Sequence, residues 1–239
     1  MPLKNSFFMI VAFVLTCFTF AGVTQAEENF SIKGDSSSWD LPNNRMNYYG
    51  NIQFNSANVT ISGEQLTAQR SVTNTNEEMH ISGSPAQLKQ KASALIPASQ
   101  LSAGSIHYQI AAQRIGASDN VKLVQQDAEQ GTVEIQGDSL SLNQASGYQL
   151  NVKGAPLRLI ITNPDRPQLN ASAKHLKYDQ KSHRFTLSGG VSLQHQRETL
   201  NADVIIYDIQ TGILQVPKSS KGQVEIIQSD RPLKAGENK

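Results

Sequence analysis

The chain has 239 residues, enough for one or two domains, and its formal net charge is +1. A charge so near zero argues against bulk electrostatic binding to nucleic acid or to an anionic membrane surface. Hydrophobic residues make up 38% of the chain and aromatic residues 6%, a balance typical of strands that keep one face in solvent.

The first 26 residues have the layout of a secretory signal peptide. Lys4 supplies a positive charge, Phe7 to Phe20 is an apolar run, and small residues lead to a predicted cleavage after Ala26. An uncleaved membrane anchor is the alternative, although the run is short for a bilayer span. Cys17 is the only cysteine, and the apolar residues after it fit poorly with a lipidation site. The mature chain would therefore have no disulfide and no cysteine-bound zinc.

Residues 27–228 are predicted to form one all-β domain, and residues 229–239 a disordered tail. Within the domain, short apolar runs alternate with polar turn clusters, which indicates repeated units of half-buried antiparallel strands. The predicted units span about residues 35–90, 104–161 and 171–227. A small-residue linker is predicted between the first two units, from Lys89 to Ala103.

The third unit shows the pattern most clearly, between Lys174 and Asp208. Apolar residues occupy alternate positions in four predicted strands, and polar clusters such as Ser188-Gly-Gly190 are predicted to be turns between them. The apolar positions of the four strands are Leu176/Tyr178, Phe185/Leu187, Val191/Leu193 and Leu200/Ala202/Val204/Ile206.

The units recur at a nearly constant period. Val121 follows Ile52 by 69 residues, and Val191 follows Val121 by 70. Gly83-Ser-Pro85 returns as Gly154-Ala-Pro156, 71 residues later. A constant period with repeated turn residues indicates stacked copies of one supersecondary unit, each burying its apolar face against the next.

The order of motifs resembles the OstA-like repeat of the LptA-like lipopolysaccharide transport family. In the second unit these motifs are Ile106-His-Tyr108, Val121-Lys-Leu123, Gly137-Asp-Ser-Leu140 and Gly154-Ala-Pro156. Residues 35–161 resemble one short member of the family, and residues 171–227 resemble an additional copy of the repeat. The resemblance implies an open-edged β-jellyroll in which two antiparallel sheets form a V.

Periodicity alone favours a closed β-sandwich core. The resemblance implies instead that the V is open and that its inner apolar seam holds the acyl chains of lipopolysaccharide. Alternation within each strand selects the residues that face the seam. The predicted lipid-binding residues are Ile52, Phe54, Val59, Ile61, Leu66, Val121, Leu123, Val133, Ile135, Leu140, Leu142, Phe185, Leu187, Val191, Leu193, Val204 and Ile206.

The resemblance also implies a function. The protein would be exported to the periplasm and, without being an enzyme or needing a cofactor, would pass lipopolysaccharide from an inner-membrane complex to the outer-membrane translocon. Its first and last strands would pair edge to edge with an LptC-like protein, an LptD-like protein or further copies head to tail. With about six strands per sheet, the seam is predicted to be about 25–30 Å long. An adaptor that binds no lipid, or a membrane-anchored LptC-like relative, is the alternative.

Two patterns that suggest other chemistry fit the sequence less well. Gly137-Asp-Ser-Leu140 spells a hydrolase signature, but such a serine needs a histidine base and a strand-to-helix elbow. The nearest Asp-His pair, Asp179 and His183, has the wrong spacing, and Gly137-Asp-Ser-Leu140 occupies the repeat position of Gly63-Glu-Gln-Leu66.

The histidines lack metal-ligand spacing, and His107 and His175 in particular are predicted to be outward strand positions. The five are His80, His107, His175, His183 and His195. Neither a catalytic nor a metal site is predicted.

Overall fold

The computed structural model describes residues 31–55, 59–69, 78–92, 98–109, 112–127, 131–143, 145, 147–164, 166–218 and 224–228. Within these residues every regular element is a β-strand. The strands are β1 (Ser31–Lys33), β2 (Ser36–Asp40), β3 (Arg45–Asn55), β4 (Val59–Gln69), β5 (Glu78–Gln90), β6 (Ala98–Gln109), β7 (Arg114–Asp127), β8 (Gly131–Asn143), β9 (Gln149–Asn163), β10 (Arg166–Asp179), β11 (Arg184–His195), β12 (Glu198–Asp208), β13 (Leu214–Gln215) and β14 (Glu225–Gln228). The predicted signal peptide and C-terminal tail lie outside the described residues.

The strands form one antiparallel sheet with a simple up-and-down order. From β3 to β13 each strand pairs with the next one in the sequence. At the two ends of this path, β1 and β2 both pair with β3, and β13 and β14 both pair with β12. The prediction of an all-β, open-edged fold is therefore confirmed.

Each long strand bends near its middle. The register between neighbouring strands slips there, for example between Tyr49 and Ile52 where β3 pairs with β4, and between Ser118 and Val121 where β7 pairs with β8. The slips lie side by side from β3 to β12 and form one crease across the sheet. Extra residues inside a strand interrupt the hydrogen-bond ladder and bend the strand, as in a β-bulge.

The crease divides the sheet into two arms. The first arm contains residues 45–49 of β3 and all the half-strands paired in line with them, and the second arm contains residues 52–55 and their paired half-strands. β2 and β13 extend the first arm, whereas β1 and β14 extend the second. The two predicted sheets are thus the two arms of a single sheet, and each edge ends in a bent strand that is split into two pieces.

In most strands the crease also changes which positions point inward, from odd-numbered to even-numbered residues or the reverse. In β5, the buried residues before the crease are Met79 and Ile81, at odd positions, and those after it are Ala86 and Leu88, at even positions. Because side chains alternate between the faces of a strand, a bent strand without the slip would send the apolar side chains of one half outward. The slip therefore lets both arms turn their apolar side chains toward each other.

Every fourth strand crosses the crease in a different way. Gly50-Asn51 in β3, Asp119-Asn120 in β7 and Gly189-Gly190 in β11 are pairs of residues with positive φ. The pairs are 69 and 70 residues apart, so they repeat with the period of the sequence. Two added residues leave the alternation unchanged, and Ala117 and Val121 of β7 are accordingly both buried. The cis peptide bonds before Pro85 and Pro156 also lie four strands apart, in β5 and β9.

The sheet is about twice as long as predicted along the direction in which the strands stack. With each split edge strand taken as one, the described residues form twelve bent strands side by side. At about 4.8 Å per strand they extend over about 50–55 Å. The prediction of about 25–30 Å is wrong because each strand passes through both arms instead of belonging to one sheet.

Some predicted turns and linkers are parts of strands. Ser188-Gly-Gly190 lies inside β11, where the chain bends but continues into the second arm. The predicted linker includes the first half of β6, in which Leu101 and Ala103 are buried. Glycine and small residues at these places accommodate the crease, whereas the chain reverses elsewhere, for example at the residues between Asp179 and Arg184.

Substitutions at Gly190 should measure how much the crease depends on left-handed backbone. Gly190 has a φ of +70°, and a Cβ added there would have no atom within 4 Å. Gly190→Ala should therefore lower the free energy of unfolding by about 1–2 kcal/mol through backbone strain alone. Urea unfolding followed by circular dichroism measures the change.

The matched variant is Gly190→Asn, because Asn51 and Asn120 occupy the corresponding position in the other two units. Asparagine tolerates positive φ better than alanine, so it should cost clearly less. Equal losses for the two variants would contradict this explanation of the crease.

Candidate functional site

The apolar side chains of the two arms meet in one seam that runs along the sheet from β3 to β12. Among the described residues, the buried side chains include no carboxylate, lysine or arginine. Such an interior offers almost only apolar surface.

Fifteen of the seventeen predicted seam residues are buried, with exposed fractions between 0% and 8%. They are Ile52, Phe54, Val59, Ile61, Leu66, Val121, Leu123, Val133, Ile135, Leu140, Leu142, Phe185, Leu187, Val191 and Leu193. The structure brings all of them into the same seam, whatever their distance in the sequence.

The inward placement of the other two residues, Val204 and Ile206, is wrong. Both are only half-buried, while their neighbours Ile205 and Tyr207 are 0% and 8% exposed. The register of β12 against β11 slips between Ala202 and Val204. The alternation that starts at the beginning of β12 is therefore reversed beyond this point.

Strands that the site prediction left out supply a large part of the seam. Their alternation is as regular as that of the chosen strands, so the same signal could have found them. The large residues among them that are almost fully buried include Ile81, Leu88, Ile106, Leu150, Leu157, Leu159 and Tyr178.

Aromatic side chains line the free end of the first arm, opposite the crease. The rings of Tyr178 and Phe185, which face each other across β10 and β11, have centroids 4.7 Å apart. Tyr148 packs edge-on against Tyr178 at 6.5 Å. Burial, and secondarily the nearby Asp179 carboxylate, raises the pKa of Tyr178 to about 12. Burial likewise raises the pKa of Tyr148 well above its ordinary value.

The opening between the free ends of the two arms, which we call the mouth, is lined by polar groups. On the second arm, Gln90, Ser99 and Gln125 are buried next to one another on β5, β6 and β7. Tyr148 of the first arm forms a side-chain hydrogen bond with Gln125. This bond joins the two arms across the mouth.

Ser139 of the hydrolase-like motif and two of the histidines lie on strands of the sheet. Ser139 lies within β8, opposite Ser118 and Lys153 of the neighbouring strands, and not on a strand-to-helix elbow. On the outer face, His80 Nε2 is 2.8 Å from Ser105 Oγ, and His107 Nε2 is 3.4 Å from Glu78 Oε2. In the part of the chain that the structure describes, no group of three or more potential ligands could hold a metal ion.

The sequence of the domain matches a family model twice. The model is that of LptA and the N-terminal domain of LptD, a lipopolysaccharide transport protein, and it matches residues 31–129 and again residues 127–213. The two matches together span well over half of the chain. The chain belongs to this family. The resemblance to the LptA-like, OstA-like repeat is therefore confirmed, and the family is one of transport proteins rather than enzymes.

Among solved structures, one that the chain matches is LptH from Pseudomonas aeruginosa, described as the LptA homologous periplasmic component of the conserved lipopolysaccharide transport device. The two sequences are 12% identical, and the match covers 85% of this chain and 96% of the LptH chain with a TM-score of 0.25. So distant a likeness adds nothing to the family match. No curated protein sequence matches the chain.

The described residues contain no helix of sufficient length and hydrophobicity to span a membrane.

The raised pKa of Tyr178 predicts a loss of stability in alkali. An unfolded tyrosine loses its proton near pH 10, whereas the pKa of folded Tyr178 is about 12. Folded Tyr178 keeps its proton up to a higher pH than unfolded tyrosine does. The contribution of Tyr178 to the free energy of unfolding is therefore intact below pH 10 and is lost as the pH rises toward 12. Two pKa units correspond to roughly 2–3 kcal/mol. Between pH 9 and pH 11.5, urea unfolding of Tyr178→Phe should therefore depend less on pH than that of the parent protein.

The matched control is Tyr49→Phe, because the Tyr49 ring is 42% exposed. This variant should retain the pH dependence of the parent protein. If Tyr178→Phe retained it as well, burial of Tyr178 would not be the cause.

Proposed function

We propose that the protein is a periplasmic bridge that carries lipopolysaccharide from an inner-membrane complex to the outer-membrane translocon. The observation that supports this most directly is one continuous apolar seam, enclosed by two arms, in a chain of the lipopolysaccharide transport family. The acyl chains would lie in the seam, and the sugar would emerge at the mouth. Export depends on the predicted signal peptide at residues 1–26.

Loading requires the arms to move apart, because the seam residues already pack against one another. Ile61 and Leu193, for example, are 2% and 1% exposed. Each buried methylene group contributes about 0.8 kcal/mol, so a twelve-carbon acyl chain brings about 8 kcal/mol of gross burial. This gain acts against the cost of separating the apolar faces of the two arms. Loading then needs neither a covalent step nor a metal.

The two edges of the sheet fit a role as a link in a longer structure. In the described residues, β2 pairs only with β3, and β14 only with β12, so the outer edge of each offers backbone groups to another strand. Large apolar side chains lie exposed beside both edges: Trp39 is 64% exposed and Ile226 68%. An LptC-like protein, an LptD-like protein or a second copy would continue the sheet by pairing there.

An adaptor that binds no lipid is the second candidate. The observation in its favour is that the seam is closed, since the same packing would suit a plain β-sandwich core. The two functions differ in whether a lipid reaches the inner faces of the arms, so photo-crosslinking can distinguish them.

A photoreactive residue placed in the seam should form an adduct with radiolabelled lipopolysaccharide. Leu123 and Leu193 are suitable sites, being 6% and 1% exposed in the second arm. The bridge function predicts adducts at both sites, detected by autoradiography of a gel. Absence of adducts at every inward position would exclude lipid transfer and favour the adaptor.

Ile205 and Ile206 provide a matched pair for this experiment. They are adjacent and chemically identical, but Ile205 is 0% exposed in the seam and Ile206 is half-buried on the other face. An adduct is expected at Ile205 and not at Ile206. Equal labelling of the two would show that lipopolysaccharide coats the protein rather than enters it.

Edge-to-edge pairing predicts association that depends on concentration. Ile226→Lys should weaken it, because a charge on an edge strand discourages pairing with a second sheet. Light scattering over a concentration series measures the change in average mass. The control is Tyr49→Lys, since Tyr49 is 42% exposed but lies on β3, which is paired on both sides. A strict monomer at high concentration would contradict self-association.

A further inference from the structure

Three buried polar side chains form a row at the mouth, on the inner face of the second arm. Ser99 of β6 lies directly opposite Gln90 of β5 on one side and Gln125 of β7 on the other. Their exposed fractions are 5% for Gln90, 6% for Ser99 and 6% for Gln125. Buried polar groups are costly unless they are hydrogen-bonded, so a row of them at the end of an apolar seam needs a physical reason.

The hydroxyl group of Ser99 makes no hydrogen bond in the closed seam formed by the described residues. Its oxygen atom, Oγ, is fully buried. A buried hydroxyl group without a hydrogen-bond partner destabilises a protein. A ligand atom that accepts a hydrogen bond from Ser99 would remove this penalty.

A cleft of about 610 Å³ opens beside Ser99 at the edge of the second arm. Gln90 and Ser99 line it together with polar residues of the outer face, including Gln100, Lys89 and Lys122. Lys122 forms a 2.8 Å ion pair with Glu134, which also lines the cleft. The cleft is therefore polar where the seam is apolar, and the boundary between the two lies at Ser99.

In the closed seam, Gln125 of the row is hydrogen-bonded to Tyr148 of the other arm. Both residues are buried, and the bond between their side chains spans the mouth. Separation of the arms breaks this bond and frees the Gln125 amide next to Ser99. Opening therefore presents hydrogen-bond donors from both Gln125 and Ser99 at the mouth, where a ligand leaves the seam.

We propose that Ser99 and Gln125 form a polar subsite that binds the carbonyl groups joining acyl chains to a sugar. The inference rests on the proposed lipid-binding function and names the ligand chemistry at the mouth: an acylated saccharide. Its chains lie in the seam and its sugar emerges at the mouth. Between them, the ester or amide carbonyl accepts hydrogen bonds from the Ser99 hydroxyl and the Gln125 amide.

Two synthetic ligands that differ in one group test the subsite. Glucose 6-dodecanoate has an ester carbonyl at the first carbon of its chain, and 6-O-dodecylglucose has a methylene group there. Calorimetric titration of the full mature chain, below the micelle concentration of either ligand, gives both dissociation constants. The parent protein should bind the ester about fivefold more tightly, as expected for one net hydrogen bond.

Ser99→Ala should bind the two ligands about equally, because the hydroxyl that recognises the carbonyl is gone. Its folding should not suffer, since the hydroxyl has no partner in the closed seam formed by the described residues. Ser99→Thr keeps the hydroxyl and should keep most of the preference. The matched control is Ser192→Ala, on the outer face of β11 in the same arm, which should keep all of it.

The possible outcomes distinguish failure of the polar subsite from failure of lipid binding in the seam. Equal binding of ester and ether to the parent protein, or an unchanged preference in Ser99→Ala, would overturn the subsite and leave the lipid seam in place. Failure of both ligands to bind the parent protein would overturn lipid binding, and the subsite with it.

Discussion

The structure depends on the crease at which every long strand changes register. A strand of eleven to fifteen residues, such as β3 or β9, passes from one arm to the other, and its side chains must face the same interior on both sides. Two residues with positive φ achieve this in β3, β7 and β11, and an odd number of added residues achieves it in the strands between them, with the longest insertions in β5 and β9. Because the crease positions line up across the sheet, the arms close on one seam. A strand that lost its slip would expose the apolar residues of one arm.

This constraint explains which features the sequence could predict. Alternation is a local property, so it placed Phe185, Leu187, Val191 and Leu193 inward without any knowledge of the fold. The crease interrupts alternation and uses the same glycines that mark turns. Gly189-Gly190 therefore resembled a reversal of the chain, although β11 continues through it. In β12 the slip carries no glycine, and nothing in the sequence signals that inward positions change after Ala202.

The hydrolase-like motif illustrates how the crease shapes sequence. Gly137, its first residue, lies at the register slip between β8 and β9. A Cβ at this position would lie 2.7 Å from the backbone oxygen of Lys153, closer than real Cβ atoms approach. The glycine is thus required for the approach of two backbones, and Leu140 fills the seam. Both outer residues of the motif are explained by packing, without any catalytic role for Ser139.

The split edge strands restrict what can continue the seam. Each edge offers two short strands, one in each arm: β1 and β2 at one end, β14 and β13 at the other. A straight strand from another protein could pair with one arm only, because the crease turns the second arm away. Pairing with both arms requires a strand that bends at the same place. A partner protein with such a strand would also align its own apolar seam with this one. For the proposed bridge, the backbone geometry that closes the seam within one chain therefore also selects partners able to extend it.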